Sequence, residues 1–409
     1  MVASQGTAAP EPAVETRVWR NVPILSLSQA LFVSAMSIQI SVGGLVGYSL
    51  ALDKGFATLP VAATVVGTAF CTIPAAMVMR RFGRRFGFIL GGMIGTVSAL
   101  LSAYAIDAGH FWLFVASSLL FGAFNATAQY YRFAAVDGAP EKVRARAISF
   151  VMAGGVIAAF AGPEIAKHTR DLFEPVLYLG AYLAVGVISL LACFLLAGLR
   201  IPPLTAAQRA DSGRPLTVIM AQPAFIAAVV SAVVGYATMS FLMTATPLAM
   251  QICGFAFNPT ATVIQFHVLA MFLPSFFTGS LIDRFGVRRI IIAGAILNLL
   301  AISTGYAGIG WWNFWGNLVL LGIGWNFMFI GGTTLLTRTY TVAERAKTQA
   351  ANDFLVFGAM ALASLSSGKI LHEFGWDTVV LAAIPAVLLA ILVVAVFGGR
   401  RPVLPAGAG

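Results

Sequence analysis

Apolar runs of twenty or more residues recur from one end of this chain to the other. A helix rises about 1.5 Å per residue, so about twenty apolar residues cross the roughly 30 Å hydrocarbon core of a bilayer. Inside that core every peptide group needs an internal partner, which such runs find only as helices. Twelve spans are expected, near 24–50, 58–79, 86–107, 111–133, 145–167, 174–199, 221–250, 259–282, 289–310, 312–336, 347–371 and 375–398. Hydrophobic residues make up 59% of the chain and charged residues only 10%, which excludes a soluble domain. The expected fold class is an all-α membrane protein of twelve transmembrane helices in two six-helix halves.

The longest connection between runs carries Pro202, Pro203, Arg209, Asp211, Gly213, Arg214 and Pro215, a polar linker composition. It divides the chain into a tail (1–20), a first half (21–199), a linker (200–220), a second half (221–399) and a tail (400–409). The halves repeat: Arg81-Phe82-Gly83 matches Arg284-Phe285-Gly286, and Glu141-Lys142 matches Glu344-Arg345, both at a shift of 203 residues. Such duplication is a mark of parallel-repeat transporters. The net charge of +10 is not a nucleic-acid patch, because the basic residues fall in short loops between spans. Of 25 basic residues, 21 fall on one side, leaving Lys54, Lys167, Arg170 and Lys369 on the other. The positive-inside rule then puts both termini in the cytoplasm and Trp311, Trp312 and Trp315 at the outer interface. The opening residues have no charged n-region of a signal peptide. The three cysteines (Cys71, Cys193, Cys253) form no CxxC pair. A monomer surrounded by membrane lipid is expected.

Met239 and Met243 stand four apart in the seventh span, and His267 and Met271 four apart in the eighth. A step of four puts two side chains on one helix face. Thioether and imidazole together suit a soft ion such as Cu(I). Methionine is also ordinary filling in apolar helices, and a buried histidine serves equally as a hydrogen-bonding group or a proton relay. The residues alone leave these readings open.

The loop after the eighth span carries Gly279, Asp283, Arg284, Gly286, Arg288 and Arg289 in the order G-x-x-x-D-R-x-G-x-R-R. It resembles the signature of the major facilitator superfamily. The first half departs from it, with Ala76 for the glycine and Arg80 for the acid. The resemblance covers the whole chain and implies two rocking halves around a central site. The MxxxM and HxxxM pairs resemble, within that superfamily, the CcoA-type copper importers of the CalT group. That resemblance implies copper as the transported substrate, held by Met239, Met243, His267 and Met271 with Cys253 near the outer mouth. It further implies a bacterial inner-membrane location and a supply of copper for cytochrome oxidase assembly.

Glu164 and Asp353 are candidates for carrying a coupling proton, or for interface pairs with Lys167 or Arg170 and with Lys347. Gln39, Asn125, Gln129 and Asn326 are placed to face a central cavity or to bond neighbouring helices, and Asn298 lies in a span as well. The alternative substrate is riboflavin or another small organic solute, with Tyr130, Tyr131 and Trp325 available to stack on a flat ring. A proton-linked exporter is the other alternative. No G-x-x-x-x-G-K-[ST] and no HExxH occurs, so neither an enzyme nor a resident cofactor is expected.

Overall fold

Without water to hydrogen-bond the backbone, apolar length becomes helix, and helix is what the described residues form. The structure is a computed structural model that describes residues 11–53, 56, 59–137, 139–201 and 213–400. Most of the expected tails, the linker over 202–212 and Lys54 lie outside those residues. The first half contains α1 (Glu11–Leu50), α2 (Leu59–Phe82), α3 (Arg84–Asp107), α4 (Phe111–Ala128), the short α5 (Tyr131–Ala134), α6 (Glu141–Thr169) and α7 (Leu179–Ala197). A short α8 (Leu216–Met220) precedes the second half, which contains α9 (Pro223–Ile252), α10 (Phe257–Phe272), α11 (Ser275–Phe285), α12 (Val287–Tyr306), α13 (Trp311–Leu336), α14 (Arg345–Ala382) and α15 (Ile384–Phe397).

Among the described residues eleven helices are long and apolar enough to span a membrane, or twelve when the pair Thr262–Phe272 and Ser275–Phe285 counts as one. That pair is the eighth span, expected as one continuous helix but bent by 41°. The cause is Pro274, which has no amide hydrogen to give to the preceding turn. Asn326 of α13 fills the break. Its Nδ2 donates to the Met271 carbonyl and to Ser275 Oγ, both at 2.6 Å, and its Oδ1 accepts from Thr278 Oγ1 at 2.7 Å. The eleventh and twelfth spans run on without a loop except at Gly375, whose φ of 79° marks the turn.

The duplication is visible in the backbone. Gly83 and Gly286, 203 residues apart, hold φ at 90° and 85°. Each donates to the carbonyl four residues back (Met79, Ile282) and accepts from the amide four residues on (Gly87, Ile290). Glycine alone adopts this conformation without strain.

The halves meet through the second and eleventh spans and through the fifth and eighth. Their polar links lie toward the arginine-rich end. Arg146 pairs with Asp283 at 2.8 Å, Arg338 with Glu141 at 2.9 Å, and Arg345 with Asp137 at 3.0 Å. Arg84 donates to Gln349 at 2.9 Å, and Arg144 to the Thr337 carbonyl at 3.2 Å. Gly279 permits the closest approach: a Cβ there would lie 2.6 Å from Arg146 Cα. The signature glycine and acid of the eighth span therefore both dock on α6 of the other half. No comparable contact joins α1 to α9 among the described residues.

Candidate functional site

A line of polar side chains crosses the plane between the halves above this closed end. Asn125, Gln129 and Arg132 follow one another along the fourth span at steps of four and three, which stack on one helix face. Arg132 Nη1 donates to Gln129 Oε1 at 2.9 Å, and Gln129 Nε2 donates to Asn125 Oδ1 at 2.9 Å. At the other end Arg132 Nη2 donates to Asp353 Oδ1 of α14 at 2.6 Å. Asn352 Nδ2 donates to the same oxygen at 2.8 Å. The Arg132 and Asp353 side chains are 2% and 0% exposed. Arg132 Nε and Asp353 Oδ2 have no hydrogen-bond partner, so the pair is held by one bond where two were available.

Aromatic rings enclose the pair. The Arg132 guanidinium lies 4.6 Å from the Phe133 ring centre and 4.5 Å from that of Phe329, within cation–π range. Tyr236 of α9 meets Phe329, Trp325 and Phe357 edge-on at 5.1–5.6 Å. Met36 of α1, Gln129 and Tyr236 are each half-buried although they lie deep in their spans. They come from the first, fourth and seventh spans.

Several expected roles need correction. Asp353 is not an interface residue paired with Lys347. It is buried against Arg132, while Lys347 donates to the Arg214 carbonyl. Glu164 is exposed and pairs with His168 at 3.4 Å rather than with Lys167 or Arg170, and Arg170 pairs with Asp171. Tyr130, Tyr131 and Trp325 offer no free ring face, because all three are buried in the core. Trp325 stacks on Phe329 at 5.0 Å, and Tyr131 packs edge-on against Phe88 at 4.9 Å. The half-buried Tyr236 is the ring the sequence reading missed. Gln39 bonds Thr64 and Ser118 within its own half, and Asn298 faces the Met328 sulfur. Arg132 stands at the end of the expected span 111–133, among basic residues that otherwise fall in loops. Its position directly after Gln129-Tyr130-Tyr131, in a run that is still apolar, was the available signal, since an ionisable group inside a span is a functional candidate.

The methionine–histidine set lies on α9 (Met239, Met243) and α10 (His267, Met271). α9 and α10 meet along a short stretch; α9 packs mainly on α14 and α13, and α10 mainly on α13. His267 is fully buried and turned toward α13, where its Nδ1 lies 2.6 Å from the Leu318 carbonyl and its Nε2 has no partner. Met239 and Met271 are buried, and Met243 and Cys253 are half-buried.

Two six-span halves, latched at a basic end and carrying a polar and aromatic floor, define a membrane carrier. The chain belongs to the Major Facilitator Superfamily, whose model matches residues 25–274 and 256–408. It is 44% identical over 379 residues to the riboflavin transporter RfnT of Brucella anthropi, covering 92% of this chain and 95% of that protein. It is 31% identical over 406 residues to the uncharacterised MFS-type transporter YdeG of Bacillus subtilis, covering 93% and 92%. The E. coli fucose:proton symporter FucP superposes with a TM-score of 0.73 over 94% of this chain and 100% of that one. At 16% identity this is a likeness of fold alone.

Proposed function

We propose that this carrier imports riboflavin, or a flat aromatic solute like it, through a site floored by Tyr236, Gln129 and Met36. The observation that carries the reading is the 44% identity with a riboflavin transporter over nearly the whole of both chains. That match supports the organic solute over copper. Tyr236 adds a chemical reason: an accessible ring beside a hydrogen-bonding ladder suits a planar, polar-edged molecule.

The basic excess at the latched end supports a cytoplasmic placement for it, with both termini on that side. The described arrangement is then the state closed to the cytoplasm. Import requires the halves to part where Arg146–Asp283, Arg338–Glu141, Arg345–Asp137 and Arg132–Asp353 now hold them. Arg345–Asp137 is largely buried, whereas Arg146–Asp283 and Arg338–Glu141 lie near water and exchange readily with it. The Arg132–Asp353 pair does not, and the Asp353 carboxyl is the group whose neutralisation by a coupling proton would free it.

The test is rescue of a riboflavin-requiring bacterium at low external riboflavin. The chain should restore growth there, and a Tyr236→Ala variant that reaches the membrane should need about three- to tenfold more riboflavin to do so. Failure of the intact chain to rescue contradicts the reading.

A further inference from the structure

The direction of every bond in the ladder is set from its charged end. Asp353 only accepts in the ion pair, and a guanidinium only donates. Gln129 must therefore present Oε1 to Arg132, which leaves Nε2 to point along the helix and donate to Asn125. Asn125 must answer with Oδ1, so its own Nδ2 becomes the free end. Amide groups of this kind can ordinarily be turned either way round, but the fixed charge removes that freedom here. Among the described residues the acceptor at this end is the Met36 sulfur at 4.0 Å. A thioether is a weak acceptor, and the Met36 side chain is half-buried, unbranched and easily displaced. The ladder thus ends in an almost unused donor beside the accessible floor, in a low-dielectric setting where an unsatisfied N–H is costly.

We infer that Asn125 reads a carbonyl oxygen on the transported ring, with Gln129, Arg132 and Asp353 as the positioning residues that make it a donor. This rests on the riboflavin reading and refines it. The pyrimidine edge of a flavin carries two ring carbonyls, so a flavin that displaces Met36 brings the acceptor the ladder lacks. A solute presenting only N–H groups at that point leaves two donors facing each other and is rejected.

The inference predicts a specificity change, not merely a loss of rate. Uptake of riboflavin is compared with that of 2-thioriboflavin and 4-thioriboflavin, whose sulfur accepts hydrogen bonds more weakly than oxygen. The intact chain should favour riboflavin over one of the two by about tenfold, the factor expected for one buried hydrogen bond. Asn125→Ala should bring that ratio close to one, because neither compound then finds the donor. Gln129→Glu is the sharper variant. It still accepts from Arg132 but no longer donates to Asn125, so the Asn125 amide turns and shows its oxygen, and the preference for riboflavin again disappears. A merely structural role slows all three compounds together and leaves the ratio unchanged. An unchanged ratio in both variants, or no preference in the intact chain while riboflavin is taken up, overturns this inference alone. No riboflavin uptake by the intact chain overturns the functional reading, and this inference with it.

Discussion

Arg132 of the first half donates to Asp353 of the second at 2.6 Å, and neither side chain is more than 2% exposed. The bond crosses the plane along which a two-half carrier must open. Taking one partner away strands a charge inside the protein, whereas removing both together does not. Asp353→Ala should therefore lower stability by about 3–5 kcal/mol. The double variant Arg132→Met, Asp353→Leu should recover most of that loss and remain inactive in uptake. Thermal unfolding in detergent measures both, and wild-type stability in the single variant contradicts this account.

The signature residues of the eighth span should behave unequally. The Arg146–Asp283 pair is half exposed on the arginine side, so Asp283→Asn should cost less than about 1 kcal/mol. Gly279→Ala puts a methyl group 2.6 Å from Arg146 Cα, against backbone that cannot move aside as a side chain can. It should disturb the latch by about 1–3 kcal/mol and slow uptake more than Asp283→Asn does. Parallel uptake assays, normalised to the amount of protein in the membrane, give the order.

Glu344 predicts a pH window. The residue precedes α14 and is fully buried. Burial pushes its carboxyl up, but hydrogen bonds from Arg214 and the Thr341 amide outweigh this and hold it down at about 2. A carboxyl depressed in the folded state contributes its full stabilisation above the unfolded value near 4.5 and loses it as the pH falls toward 2. The stability gap between the intact chain and Glu344→Gln should thus be constant from pH 5 to 8, shrink below about 4.5 and close near 2. Unfolding midpoints across that range test it, and a gap that opens on acidification contradicts it.

The spans, the two halves and the turn glycines Gly83 and Gly286 were legible in the sequence, because the bilayer demands apolar length and a duplicated turn keeps its glycine. Partner choice was not. Arg132 reads as one more basic residue at a span end until the packing of the eleventh span against the first half, on the second span above all, brings Asp353 within reach of it. The i,i+4 pairs tell which side chains share a helix face but not which neighbour that face meets, and His267 turned out to face α13. Pro274 was the available signal for the bend in the eighth span, which is expected from the apolar run as one continuous helix. That Asn326 would fill the break depends on how α13 lies against it, which no local pattern encodes.

Tyr236 is half-buried in the seventh span, edge-on to Trp325, Phe329 and Phe357. An aromatic contact is worth about 0.5–1.5 kcal/mol beyond burial, so Tyr236→Ala should raise the KM for riboflavin by about three- to tenfold. Tyr236→Phe, which keeps the ring, should leave KM within about twofold. Concentration-dependent uptake separates the two, and equal losses in both variants would assign the role to the hydroxyl instead.

Riboflavin as the cargo is tested most directly by measuring radiolabelled riboflavin and radioactive copper uptake side by side in cells expressing the chain and in cells that lack it. Riboflavin should accumulate only with the chain and be competed by unlabelled flavin, while copper uptake stays at the control level. Copper accumulation without riboflavin, abolished by His267→Ala or Met243→Ala in protein that still reaches the membrane, would contradict the account.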